Sequence, residues 1–226
     1  MNFLRYHPDR QPVTNAAVGQ SSRSWNFQLY GGMALLILLL LAIAGSAGMS
    51  FGVFTQDPMA LAQGEPYFGL LSNVGILFWS AAATVCFFVA SLGQKIERQP
   101  SRHFFILSGL FTLLLLLDDL FLLHEAVLPR LLGIRQRYVL LIYLLLALLY
   151  LANYGKVILS SHPLLMAGAL ALFGLSLAED LLALAPEGWH YLLEDGAKLF
   201  GIISWFNYFA LVCRKEVKRC IFSSPG

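Results

Sequence analysis

Apolar residues in this chain do not alternate with polar ones at helical or strand spacing. They gather instead in six long runs, at about 31–54, 68–93, 104–128, 138–159, 163–185 and 189–213. Each run holds roughly 20 residues or more, enough for a helix to cross the hydrocarbon core of a bilayer. The pattern predicts an all-α, polytopic membrane protein built as a single bundle of six transmembrane helices. A polar segment at 1–29 precedes the bundle and reads as a cytoplasmic tail, too long and polar for the leading region of a signal peptide. Residues 30–213 form the transmembrane domain, and 214–226 a basic tail. Only the connection between the first two runs, with Asp57-Pro58 and Gly64-Glu65-Pro66, is long enough for a short interfacial segment.

Composition agrees with the pattern. Of 226 residues, 58% are hydrophobic and 12% charged, whereas about a quarter are charged in ordinary soluble domains. A formal charge of +2 gives no reason to expect nucleic acid as a partner. Membrane lipids are the expected surroundings. Three cysteines form no even disulfide framework and no zinc pattern.

The basic residues suggest an orientation, because cytoplasmic segments near helix ends carry the excess of Lys and Arg. With the N-terminus inside, the inner segments hold Arg5, Arg10, Arg23, Lys95, Arg98, Arg102, Lys156, Arg214, Lys215, Lys218 and Arg219. The outer segments hold only Arg130, Arg135 and Arg137. Six spans return the C-terminus to the cytoplasmic side.

The acidic residues carry the chemical information. Asp118, Asp119, Glu125, Glu179, Asp180, Glu194 and Asp195 lie within or at the ends of spans. An ionised side chain at the bilayer centre costs about 2.5–3.5 kcal/mol on insertion scales, so such residues face a bundle interior and find partners. With the orientation above, the third, fifth and sixth spans bring all seven to one layer near the outer face. Lys198, His124 and His190 fall in the same layer. Like charges crowded at low dielectric raise one another's pKa, so protons or cations must share the layer.

Carboxylate with imidazole is the ligand set of Zn, Fe or Mn rather than of Ca or Mg. Asp118, His124, Glu125, Asp180, His190, Glu194 and Asp195 are therefore candidate metal ligands. Asp119, Glu179 and Lys198 are candidate catalytic groups. His190 and Glu194 stand at i, i+4, able to chelate from one helix face, while Glu194 and Asp195 are also spaced to pair with Lys198. The expected grouping brings His124 or Glu125 to His190 and Glu194 near the surface. Asp118 or Asp119 then meets Glu179, Asp180 and Lys198 deeper down.

Each residue also has a purely structural explanation. Asp118 and Asp119 can glue helices, His124 and Glu125 can sit among headgroups, and Glu179 and Asp180 can pair with the outer arginines. Lys198 can form an ion pair that fixes helix register. Tyr143, Tyr150 and Asn153 are read as hydrogen bonders between helices, Trp189 as an interface anchor and Trp205 as a packing residue.

Asp118-Asp119-Leu-Phe-Leu resembles the start of an aspartate-rich prenyltransferase motif, but the third aspartate is missing. No P-loop, GxGxxG, GxSxG, HxxxH or HExxH is present. The expectation is an intramembrane metal-dependent enzyme, a hydrolase by default and an oxidase as the variant, acting on an amphiphilic, lipid-like small molecule from the outer side. The alternatives are a proton- or cation-coupled transporter or channel, and an accessory subunit whose charges form structural ion pairs.

Overall fold

The structure, a computed structural model, describes residues 15–50, 52–56, 58–65, 67–92, 102–182, 185–186 and 189–222. The first fourteen residues of the expected tail, Asp57, Pro66, Lys95 and Arg98 lie outside the described residues. All described secondary structure is helical: α1 (Asn15–Ala47), α2 (Gly52–Thr55), α3 (Pro58–Leu61), α4 (Leu70–Ser91), α5 (Arg102–Phe121), a single π-turn (Leu123–Val127), α6 (Leu128–Leu132), α7 (Gln136–Leu159), α8 (Pro163–Leu182) and α9 (His190–Phe222). Six of these helices are long and apolar enough to cross a membrane, with windows at Tyr30–Ala47, Leu70–Ser91, Arg102–Phe121, Gln136–Leu159, Pro163–Leu182 and His190–Ile221.

The chain divides into two compact units, Met1–Phe68 and Gly69–Gly226. In the first unit, α1 begins at Asn15, inside the segment expected to be a tail. In the second, α4 packs on α5 and α9, and α8 packs on α9. Their core is aromatic, with Phe104, Phe105, Trp205, Tyr208 and Phe209 fully buried. Buried hydroxyls find partners there, as in the 2.7 Å bond between Ser108 and Tyr150. Helices α8 and α9 approach closely because Gly201 has no side chain; a Cβ there would lie 2.7 Å from the Phe173 ring. On α7, Leu141, Ile142, Leu144, Leu145, Leu148 and Leu149 point outward. Such a face suits hydrocarbon rather than water, since soluble monomers rarely expose large contiguous apolar patches.

Two boundaries differ from those read in the sequence. The third span does not run straight to residue 128: α5 ends at Phe121, and Leu122 adopts the left-handed conformation at φ 51°. The last helix does not stop at 213 but continues to Phe222, carrying the basic segment as an extension of α9. Arg219 and the buried Glu216 pair there at 3.1 Å, so the polar end has its own helical contacts. Asn153 bonds the Leu149 carbonyl of its own helix rather than a neighbouring one, because an i−4 carbonyl is its nearest acceptor.

Candidate functional site

The break at Leu122 builds the site. After it the backbone forms one π-turn, in which the Val127 N–H reaches the Leu122 carbonyl five residues back at 3.1 Å. A left-handed leucine is strained, at a cost of about 1–2 kcal/mol, and π-turns concentrate at functional positions. The turn folds His124 back over the preceding helix. Asp118 Oδ1 accepts the His124 backbone N–H at 3.0 Å, and Oδ2 lies 2.6 Å from His124 Nδ1. Tyr143 on α7 donates to Oδ1 at 2.9 Å. An ionised carboxylate only accepts, so Nδ1 carries the proton and Nε2 is the ring's working atom. Nε2 lies 3.4 Å from Glu125 Oε1. Burial opposes charge on the imidazole, but the hydrogen bond and charge of Asp118 and the charge of Glu125 outweigh it and raise His124 above its ordinary 6.5.

Asp118 and His124 were expected to serve different partners. They bind one another because the third span breaks between them, which the straight helix assumed above does not allow.

Asp119, the next residue on α5, receives the Lys198 ammonium from α9. Its Oδ1 makes that bond, while its buried Oδ2 has no hydrogen-bond partner among the described residues. Gly75 on α4 leaves room for Ile202, whose Cδ1 would lie 2.9 Å from a Cβ there, and Oδ2 stands beside the same position at 3.9 Å. Glu194 and Asp195, also spaced for Lys198, do not take it. Asp195 is exposed, and Glu194 Oε2 lies 3.6 Å from His190 Nε2.

The second histidine repeats the first arrangement. Glu179 is fully buried, and its Oε1 lies 2.9 Å from His190 Nδ1 and accepts the Ala185 N–H at 2.9 Å. Asp180, one residue on, is exposed and accepts from Gln136 Nε2 at 3.0 Å, not from the arginines.

Most of these groups open onto one cavity of about 310 Å³ in the second unit. Its polar side is lined by Asp118, Asp119, His124, Glu125, Asp180, Glu194 and Lys198, with Tyr143 and Ser176 beside them. Its apolar side is aromatic: Trp79, Phe111, Phe173 and Trp205. Trp79 stacks on Phe173 with centroids 5.5 Å apart and meets Trp205 edge-on at 6.0 Å. Glu179, His190 and Asp195 are not among the lining residues.

Trp79, Phe173 and Ser176 are thus lining residues that the sequence reading left out, while Tyr143, read there as a hydrogen bonder between helices, does bond from α7 to Asp118 on α5. Trp79 and Phe173 look like core filler inside apolar runs. A signal for the π-turn was available in Pro129, which a helix tolerates only in its first turn and which marks a new helix starting nearby. Among the described residues, no three His, Cys, Asp or Glu side chains form a group that could hold a metal ion. Each histidine lies between two carboxylates, one near each ring nitrogen.

The chain belongs to a family defined as a domain of unknown function, DUF8692, whose model matches residues 32–212 and so reaches from the first long helix into the last. No curated protein and no solved structure matches the chain.

Proposed function

We propose that this is a multi-pass membrane enzyme that takes an amphiphilic molecule from the bilayer into the cavity and hydrolyses it, with His124 as general base. The observation that carries this reading is the Asp118–His124 pair at the polar side of an otherwise aromatic cavity. Asp118 is itself held by Tyr143 and by the His124 amide, so tautomer and ring direction are fixed together. Positioned acid–base groups of this kind contribute about 10²–10⁴-fold to rate.

The chemistry assigned to these residues is acyl hydrolysis. His124 Nε2 takes a proton from water as the water oxygen bonds to the acyl carbon. It returns that proton to the leaving oxygen or nitrogen as the acyl bond breaks. The half-buried Lys198 ammonium, paired with Asp119, offsets negative charge developing on the acyl oxygen. The substrate's apolar chain lies along Trp79, Phe111, Phe173 and Trp205. The excess of Lys and Arg on the opposite side supports access from the periplasm, lumen or exterior.

A second reading places a divalent metal at the histidines. The Nε2–carboxylate separations of 3.4 Å at His124–Glu125 and 3.6 Å at His190–Glu194 favour it. The ligand–ligand edge of a tetrahedral site with bonds of about 2.1 Å is about 3.4 Å. In each pair, Nδ1 is held by a carboxylate, as it is in most histidine ligands.

The test is to incubate the protein in lipid nanodiscs with acyl lipids and follow products by mass spectrometry, with elemental analysis of the same preparation. Product formation lost in His124→Ala at normal folding is the expected result. Product formation that survives His124→Ala, or none with any lipid ester or amide, overturns the reading. Stoichiometric Zn, Fe or Mn lost on His190→Ala selects the second.

A further inference from the structure

The cavity offers two polar atoms that its other residues do not satisfy. The Trp79 indole N–H is buried without a hydrogen-bond partner among the described residues, and so is Asp119 Oδ2. Both residues are more than nine-tenths buried, and both line the cavity. Their neighbours are matched: Trp205 donates to Thr112 at 3.0 Å, Tyr143 to Asp118, and Gln136 to Asp180. A buried donor or acceptor left unpaired is costly, so an unmatched pair in a cavity points to something that enters it.

The two residues are neighbours in the cavity wall. Asp119 Oδ2 faces Gly75, and Trp79 follows Gly75 by one turn on the same face of α4. Positions four apart on a helix are neighbours, roughly 5–6 Å between Cβ atoms. One small polar group can therefore serve both. Trp79 asks for an acceptor, and Asp119 Oδ2 asks for a donor. An ether or carbonyl oxygen only accepts, which leaves Asp119 unmet. An ammonium only donates, which leaves Trp79 unmet. A hydroxyl does both through one oxygen.

We infer that the molecule this cavity takes is a hydroxyl-bearing amphiphile, its hydroxyl bound between the Trp79 N–H and Asp119 Oδ2 and its apolar part against the surrounding rings. The inference rests on the reading of the cavity as an amphiphile site, not on the hydrolysis assigned to His124. Trp79 acts here as a specificity-determining residue.

The experiment compares binding of 1-dodecanol and of its methyl ether to the protein in nanodiscs, corrected for partition into empty nanodiscs. The ether keeps the chain and the acceptor but has no donor. Wild type is expected to prefer the alcohol about five- to tenfold, the effect of one good hydrogen bond. Trp79→Phe keeps a ring against Phe173, removes the N–H that serves the oxygen of either ligand, and is expected to weaken binding of both about threefold or more. Trp189→Phe, at an exposed indole that does not line the cavity, is expected to leave binding unchanged. Equal binding of alcohol and ether by wild type means that only water bridges the two atoms, and overturns the inference. Alcohol binding undiminished in Trp79→Phe also overturns it. The wild-type comparison needs no variant to fold. Turnover does not enter, so an alcohol preference without hydrolysis removes only the proposed reaction, and hydrolysis without the preference removes only this inference.

Discussion

The molecule carries the same carboxylate–imidazole unit twice, in two different settings. Asp118–His124 stands at the break between α5 and α6 and lines the cavity. Glu179–His190 ties the end of α8 to the start of α9, with Glu179 fully buried and also holding the Ala185 N–H. In the Asp118–His124 pair the carboxylate serves an imidazole whose other nitrogen is available at a cavity. In the second it serves the connection between two helices. Identical chemistry therefore separates by surroundings into a group placed to react and a group placed to hold the chain, and only the neighbours distinguish them.

The sharpest way to break this comparison is to remove each imidazole function separately. His124→Ala is expected to lower turnover about 10²–10⁴-fold while the protein still folds, measured as product formed per folded molecule. Glu179→Ala is expected to do the reverse. It strips the acceptor from His190 and Ala185 and should cost about 2–4 kcal/mol in unfolding, with turnover per folded molecule little changed. If the two variants exchange these effects, the assignment of roles is inverted.

A third change tests the aromatic lining of the cavity that Asp118 and His124 share. Gly201→Ala places a Cβ against the Phe173 ring and only 3.3 Å from the Ala169 carbonyl. Overpacking of this kind costs about 1–3 kcal/mol. Because Phe173 stacks on Trp79, ligand binding should weaken along with the melting temperature. Tyr143→Phe removes one of the hydrogen bonds to Asp118 and should cost about 0.5–1.5 kcal/mol or a several-fold loss of rate.

The smallest effect is a pH dependence. His124 is held above its ordinary 6.5, so its pairing with Asp118 stabilises the fold fully below about pH 6.5 and ceases to do so as pH rises through the raised value. As a general base His124 works only when neutral, so activity should rise over the same interval in which stability falls. Thermal melts and rates across pH 6–9 check the opposed slopes, and Asp118→Asn should abolish both.

The long helices were legible because hydrocarbon leaves little choice. A run of about twenty apolar residues must satisfy its backbone internally, and a helix does so alone. The gathering of acids near Lys198 and the two histidines was legible from depth. The pairings were only partly so. Asp119 with Lys198 matches the expected deeper group, and the close approach of His190 to Glu194 follows from their i, i+4 spacing. Asp118 with His124 was hidden, since Leu-Leu-His-Glu-Ala-Val contains only residues that a regular helix accepts. Tertiary contact selects the left-handed Leu122 there. Trp79 was hidden for another reason. Nothing in an apolar run distinguishes an indole that fills space from one whose N–H faces a cavity.

The π-turn also sets a rotational phase. A π-turn holds one residue more than an α-turn, and each residue of an α-helix advances the face by about 100°. Deleting a single residue between 123 and 127 would let the segment continue in α register and swing His124 away from Asp118 while leaving every long helix intact. Length at this point therefore sets the direction in which α6 leaves the pair.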